Sequence, residues 1–273
     1  MNLEAVWHDL ECGGYVEDLA LWRELAADAG GPVLDVGAGT GRVTLELAAR
    51  GVDVVALDVD ERLLAALAAR ADGLPVETVV ADARQFSLDG RRFSLIIVPM
   101  QTLQLFGGRP GRAAFLRCAL DHLEPGGVLA AALADAMDCF DDEHDIPPPP
   151  ETREILGVRY ASQLLTVVDD DGRAALHRRR TIAGAEAEDV IIHLDRVSAD
   201  EIATEAGALG FATEPHLHIP QTEEYLGSTV VVLRAPAGNG GHLRLGSVAS
   251  GAFRGTGRTC ESRQSESFGR TVP

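Results

Sequence analysis

The chain has 273 residues, 46% of them apolar, with 42 acidic against 24 basic side chains, a net charge of −18 and a pI near 4.7. That length and apolar share support a sizeable core in one large domain, or one domain with an insertion and a tail. The acidity sets a nucleic-acid partner against the overall field, and no Lys/Arg cluster in the body offsets it. The first thirty residues carry one helix pattern, Tyr15, Leu19, Trp22, Leu25 and Ala26, ended by Gly30-Gly31-Pro32. Val33 to Val36 is a short apolar strand, followed by a glycine-rich turn and a helix over Arg42 to Arg50. Val52 to Leu57 gives a second strand closed by Asp58, and Asp60 can cap a helix whose apolar face is Leu63, Leu64, Leu67 and Ala68. Val76 to Ala81, ending at Asp82, and Phe93 to Pro99 are the third and fourth strands. A helix over Ala113 to Leu123 and the turn Glu124-Pro125-Gly126-Gly127 lead to a fifth, Val128 to Leu133. Strands alternating with helices predict a doubly wound, Rossmann-like α/β fold with ligands outside the carboxyl ends of its strands.

That alternation stops at Asp135. Residues 138 to 154 are acidic and include Pro147 to Pro150, which continue neither a helix nor a central strand. Tyr160 to Val168 and Ala174 to Ala183 flank the turn at 169 to 172, and Val190 to Leu194 follows, so an antiparallel ribbon is expected. Ser198 with Glu201 is a capping-box signal for a helix to Ala208. Phe211 to Ile219 and Thr229 to Arg234 supply two further strands. Residues 236 to 273 turn rich in Gly, Ser and Arg, and five arginines against two glutamates give this tail a charge of +3. Such a composition predicts disorder. The chain has no run of about eighteen apolar residues and no basic-then-apolar amino terminus, so a cytoplasmic protein without a membrane partner is expected. Cysteines at 12, 118, 139 and 260 lack ligand-like spacing and are read as thiols. His216 and His218 are two apart on a strand, a weak metal signal beside the ordinary reading of surface or pocket histidines, and the expectation is no metal.

The turn after the first strand carries the chemistry. Gly37, Gly39 and Gly41 let the backbone bend sharply and approach a ligand, and the helix behind them presents unsatisfied N–H groups at a positive dipole end. A valine at Gly39 would, on this reading, push its branches into ligand space. A dinucleotide fingerprint needs its third glycine where Arg42 stands. Asp35, directly before the turn, suits a cationic amino group better than a pyrophosphate.

D-x-G-x-G-x-G after a hydrophobic strand resembles motif I of the class I S-adenosylmethionine-dependent methyltransferases. Taken with Asp58, Asp82 and the Leu-Glu-Pro-Gly-Gly before the fifth strand, the likeness spans roughly residues 30 to 135 and continues more weakly to Arg234. It implies a seven-stranded sheet whose last strand is antiparallel, with the ribbon inserted after the fifth strand roofing the acceptor site. Residues 1–235 are then one methyltransferase domain, with 138–195 as the acceptor-side insertion. It further implies S-adenosyl-L-methionine as cofactor, held by Asp35, Gly37, Ala38, Gly39 and Gly41 at its methionine end. Asp58 and Val59 would serve the ribose, Asp82 and Ala83 the adenine, with Pro99 completing the site. Asp58 alone suits NAD equally, or caps a turn, and Asp82 alone is also a solvated turn residue.

The exit of the fourth strand, Val98-Pro99-Met100-Gln101-Thr102-Leu103-Gln104, lacks the Asp/Asn-Pro-Pro-aromatic pattern of many amine- and adenine-directed relatives. A small-molecule methyl acceptor is therefore expected, in a monomer or homodimer that binds no nucleic acid. Gln101 is the candidate for orienting the acceptor. Tyr15 resembles an aromatic that closes over the reaction centre, with core packing as its other reading. His193 and Tyr225 are pocket candidates, His193 able to take a proton near neutral pH. An NAD-dependent oxidoreductase and a non-catalytic nucleotide-binding protein stay open as alternatives.

Overall fold

In the computed structural model the described residues are 2–134, 147–222 and 227–237. The expected disorder of the tail falls on residues 238–273, outside the described ones, apart from its first two positions.

Five parallel strands form the body of the main sheet: β1 (Val33–Val36), β2 (Val54–Asp58), β3 (Val76–Val80), β4 (Phe93–Val98) and β5 (Leu123–Leu133). Their order is β3-β2-β1-β4-β5, so the chain reverses direction across the sheet between β1 and β4. The last strand, β12 (Ser228–Arg234), pairs antiparallel with β5 and carries β10 (Ala212–Thr213) and β11 (Leu217–Ile219) on its other edge. The strand expected over Phe211 to Ile219 is thus two short ones, broken around Pro215, which lacks the N–H a continuous ladder needs. β4 is buried along its whole length, and its side chains divide by alternation. Ile96 and Val98 pack with Phe115, Leu116 and Ile202 on one face, while Leu95 and Ile97 pack with Trp22, Leu25 and Leu47 on the other. Helices cover both faces, as a parallel sheet requires.

The amino-terminal region departs from expectation. It holds two helices, α1 (Leu3–Glu11) and α2 (Leu19–Ala29), separated by residues 12–18 with Gly13-Gly14 among them. Tyr15 precedes α2 instead of lying within it. Asn2 caps α1 by accepting from Ala5 N, and Gly30 ends α2 in the left-handed region at φ 64°. Helices α3 (Arg42–Ala48), α4 (Glu61–Arg70), α5 (Gly108–His122) and α6 (Ala199–Gly207) complete the set, α4 capped by Asp60 and α6 by the expected Ser198–Glu201 box.

The insertion is a separate four-stranded antiparallel sheet, β6 (Glu151–Ile155), β7 (Val158–Asp170), β8 (Arg173–Ile182) and β9 (Glu188–Asp195), in sequence order. β6 was not expected, since the acidic, proline-rich run obscures it. It is an edge strand, where a preceding proline run is tolerated. Helix α1 lies between the two sheets. Trp7 meets Tyr160 of β7 edge-on at 5.6 Å, and Glu11 accepts two bonds of 2.7 Å from Arg180 of β8. On its other side Asp9 accepts from Thr40 in the glycine turn at 2.7 Å and from Arg70 of α4 at 2.6 Å.

Candidate active site

A cavity of about 890 Å³ opens at the carboxyl ends of β1, β2 and β4 and extends under the second sheet. Parallel strands that all point the same way deliver their exit residues to one edge, so residues far apart in sequence converge there. Asp35, Gly37 and Ala38 arrive from β1, Asp58 and Val59 from β2, Asp82 and Ala83 from beyond β3, and Pro99, Met100 and Gln101 from β4. Tyr15 also lines the cavity. Eight of the ten residues read as cofactor-binding therefore meet around one space, the two others being Gly39 and Gly41.

Those two glycines are required by the protein's own packing. A Cβ on Gly41 would overlap Leu67 of α4, and one on Gly39 would overlap the His8 imidazole. The sequence reading sent the Gly39 side-chain direction into ligand space. It is filled instead by α1, a helix that reading did not contain.

Asp35 is 1% exposed. Its Oδ2 accepts from Thr44 Oγ1 at 2.6 Å, while Oδ1 is buried without a partner among the described residues. Burial pushes its carboxyl up to about 6, against the counter-pull of the Thr44 bond and of Arg42. Asp58 is oriented by the backbone, Oδ2 accepting from Gly39 N at 2.8 Å and Oδ1 from Asp60 N at 2.9 Å. These amides fix the carboxylate plane and leave further lone pairs toward the cavity. Asp82 accepts from the Arg84 amide at 2.9 Å and from its guanidinium, and this arginine holds its carboxyl below the ordinary range.

Arg42, in the place of the missing third dinucleotide glycine, has a structural task. Its NH2 reaches Asp18 Oδ2 at 2.7 Å, its NH1 donates to Tyr15 O at 2.8 Å, and its guanidinium lies 5.1 Å from the Tyr15 ring centroid. Asp18 is fully buried and also accepts from Trp22 Nε1. This fastens the start of α2, and Tyr15 with it, against the glycine turn. Burial raises the Tyr15 hydroxyl's pKa above the usual value, against the counter-pull of Ser228 of β12.

Past Gln101 a 3-10 turn (Thr102–Leu105) closes the β4 exit. Met100 enters it in the left-handed region at φ 55°, an uncommon conformation for a non-glycine residue and one that recurs at functional sites. Gln104 is buried, donating to Asp195 O at 3.0 Å and accepting from Ala134 N at 3.0 Å, so its amide joins the turn to the ends of β5 and β9.

The second sheet brings Leu164, Val167, Leu176, Ile192 and Leu194 to the cavity as an aliphatic wall, with Arg178 and Glu151 at its polar end. His193 is absent from that wall. Strand side chains alternate between faces, so the neighbours of Ile192 and Leu194 point the other way. His193 Nε2 lies 3.1 Å from Asp170 Oδ2 on the exposed face. Tyr225 lies outside the described residues. His216 and His218 do not line the cavity, and no cluster of metal-ligating side chains occurs among the described residues.

Sequence reasoning missed His8, Glu11 and Cys12, which line the cavity from α1 and the residue after it. The available signal was Asn2 as a cap before Val6, Trp7 and Leu10, a pattern short enough to hide beside the stronger one of α2. The half-buried Cys12 thiol, its pKa raised to about 11 by desolvation, is neutral.

A protein-family model described as "Methyltransferase domain" matches residues 33–127, from β1 through the turn inside β5. A cypemycin N-terminal methyltransferase from Streptomyces sp is 30% identical over 145 residues, 53% of this chain and 56% of that protein. The matched stretches span about half the length of this and a second curated relative. Among solved structures, an S-adenosylmethionine-dependent methyltransferase from Clostridium acetobutylicum superposes with TM-score 0.65 at 14% identity, over 86% of this chain and 99% of that one. An amino pentose methyltransferase from Micromonospora echinaspora, bound to the cofactor, gives TM-score 0.63 at 20% identity over 86% and 96%. These likenesses extend the shared fold across the inserted sheet. No helix among the described residues is long and apolar enough to cross a membrane. With motif I on β1 and the three acids on successive strand exits, residues 33–127 match a methyltransferase domain, and the fold around them is similar to that of S-adenosylmethionine-dependent methyltransferases.

Proposed function

We propose that this protein transfers a methyl group from S-adenosyl-L-methionine to a small organic molecule held under the inserted sheet. The observation that carries this reading is the convergence of Asp35, Asp58 and Asp82, from three consecutive strand exits, on one cavity beside the glycine turn.

The residues suit the cofactor. Asp35 Oδ1 is a buried acceptor without a protein partner, the group a cationic amino end would satisfy, directly or through water. Asp58, with its plane fixed by two amides, can accept from a pair of ribose hydroxyls. Asp82 and the Ala83 amide offer an acceptor and a donor to the adenine edge. When bound, the cofactor supplies an already activated methyl group. The protein's own work is then to hold the acceptor in line, keep water out and take up a proton where the acceptor loses one. Tyr15, Met100 and Gln101 line the same cavity as the acids and the aliphatic wall, which supports placing the reaction centre beside them. Gln101 can orient an acceptor by its amide. The aliphatic wall with few polar groups fits a modest organic molecule. That two similar proteins are named for a peptide amino terminus and an amino pentose keeps amines among the acceptors. The acidic body disfavours nucleic acid, and the reading remains a monomer or homodimer in the cytoplasm.

Calorimetric titration tests the cofactor. Micromolar-range binding of S-adenosylmethionine is expected, without comparable NAD affinity, and the reverse preference would overturn the reading. Asp58→Ala removes the ribose acceptors and is expected to weaken binding about ten- to a hundred-fold while the domain stays folded. Incubation with methyl-labelled cofactor and cell extract then tests the acceptor: label in a low-mass fraction supports a small molecule, and label confined to protein or nucleic acid refutes it.

A further inference from the structure

The resting proton of His8 can be placed from its neighbours. Thr40 Oγ1 lies 2.7 Å from Asp9 Oδ1 and 3.1 Å from His8 Nδ1. Arg70 grips the Asp9 carboxylate with two nitrogens, at 2.9 and 2.6 Å, and Arg153 stands 3.6 Å away. Burial works to raise the Asp9 carboxyl, but Arg70 and Thr40 outweigh it, so Asp9 is ionised and can only accept. The single Thr40 hydroxyl proton therefore goes to Asp9. Thr40 Oγ1 must then accept from His8, which puts the imidazole proton on Nδ1 and the lone pair on Nε2.

Nε2 has no hydrogen-bond partner among the described residues, lies against the Gly39 backbone and belongs to a ring that lines the cavity. The same Gly39 donates its N–H to Asp58 Oδ2. Two acceptors, an imidazole nitrogen and a carboxylate, thus flank one glycine at the start of the cleft.

Resting on the methyltransferase reading above, we propose that His8 is a cofactor-binding residue whose Nε2 accepts a hydrogen bond from a donor group of the adenosyl cofactor beside Asp58. A ribose hydroxyl and the α-ammonium are both donors of the right kind. The Arg70–Asp9–Thr40 chain acts as the positioning device that holds the tautomer. Charged groups around His8 are Asp9 and Glu11 on its own helix, Asp58 at the β2 exit and Arg42 at the start of α3. Burial, the largest influence, lowers the His8 pKa against the pull of the three acids, so the lone pair is present at neutral pH and lost on acidification.

The test titrates S-adenosylhomocysteine and 5′-methylthioadenosine into the full chain, into His8→Phe and into His8→Gln, whose amide oxygen restores an acceptor. At pH 7.5 His8→Phe is expected to bind S-adenosylhomocysteine about five- to tenfold more weakly, with part of the loss recovered in His8→Gln. A matching loss for methylthioadenosine identifies the ribose as donor. A loss confined to S-adenosylhomocysteine identifies the ammonium. The wild-type advantage over His8→Phe should shrink toward unity on acidification, a trend a packing role would not produce. Equal affinities at pH 7.5, or lost turnover with unchanged affinity, would overturn the proposal. Failure of the wild-type chain to bind either nucleoside would instead overturn the methyltransferase reading itself.

Discussion

The two sheets hold their site residues by different rules. In the parallel sheet, a residue's place in the cavity follows from where its strand ends. Asp35, Asp58 and Asp82 each occupy a strand exit, and direction alone brings them together. In the antiparallel sheet every residue is a candidate until its face is known, and the face depends on register. The pairing of β7 with β8 shifts between Leu164 and Thr166, so that both Leu164 and Val167, three apart, reach the cavity. A bulge of this kind changes which residues share a face and has no dependable mark in the sequence. Sites at strand exits are thus topological, and sites on a ribbon are geometrical.

The largest effect is expected where the two regions are joined. Arg112 of α5 donates to Asp195 at the end of β9 at 3.0 Å and to Glu205 of α6 at 3.1 and 2.8 Å. Its side chain is 8% exposed and those of its partners 9% and 10%. Arg112→Ala leaves the nearly buried Asp195 without its cation and Glu205 with the exposed Arg109, 3.9 Å away, in place of Arg112, and breaking such a buried pair typically costs about 3–5 kcal/mol. Thermal unfolding should show a large fall in melting temperature, while cofactor affinity, measured well below the transition, stays near wild type. A melting temperature within a degree of wild type would mean that the inserted sheet is not secured through this arginine.

An intermediate effect is expected at Asp35, and its two components have opposite signs. The folded-state carboxyl stands at about 6, above the ordinary 3.8, so the folded protein holds this proton more firmly than the unfolded chain. Its contribution to stability is therefore present below pH 4 and lost as pH rises through 6. Asp35→Asn should stabilise the free protein above pH 6 by on the order of 1–3 kcal/mol and also weaken cofactor binding. A cation bound at Oδ1 favours the ionised form, so wild-type binding near pH 6 should release a proton. Titration in buffers of different ionisation enthalpy would detect it, and Asp35→Asn should abolish that release. Loss of stability in Asp35→Asn would show instead that the carboxylate is held for the fold.

What could be read beforehand follows the same division. The five parallel strands, the order of motif residues along them, the Asp60 cap and the Ser198–Glu201 capping box all rest on local patterns, and the strands reappear within a residue or two in β1, β3 and β4. The helix α1 is hard to read from sequence because nine residues give about two and a half turns of periodicity, and its purpose is tertiary: it fills the space over Gly39 and joins Glu11 to Arg180. Arg42 was noticed as the residue that displaces a glycine, yet its bond to the buried Asp18 joins positions 24 apart in sequence and has no local signature. Gln104 and Gln101, three apart in one segment, have different surroundings, Gln104 buried and bonded to Asp195 O and Ala134 N while Gln101 lines the cavity, and these partners are distant in sequence and leave no local signature.

The smallest effect is expected at His193, and the comparison with its neighbour makes that informative. His193 and Ile192 adjoin in β9, yet Ile192 lines the cavity and His193 faces outward. The side chains of His193 and Asp170 are 39% and 45% exposed, and a pair so open to solvent contributes little. His193→Ala should therefore leave stability within about 0.5 kcal/mol of wild type, and it should leave both cofactor affinity and methyl transfer to a labelled low-mass acceptor unchanged. Ile192→Ala removes aliphatic surface from the cavity wall instead. It should likewise spare cofactor affinity but raise the acceptor KM several-fold, since burying each lost methylene is worth about 0.8 kcal/mol. If His193→Ala abolished transfer while Ile192→Ala did not, β9 would present its other face to the acceptor. The alternation of the whole inserted sheet would then have to be shifted by one residue, and the aliphatic wall, Leu176 and Leu194 included, would leave the cavity with it.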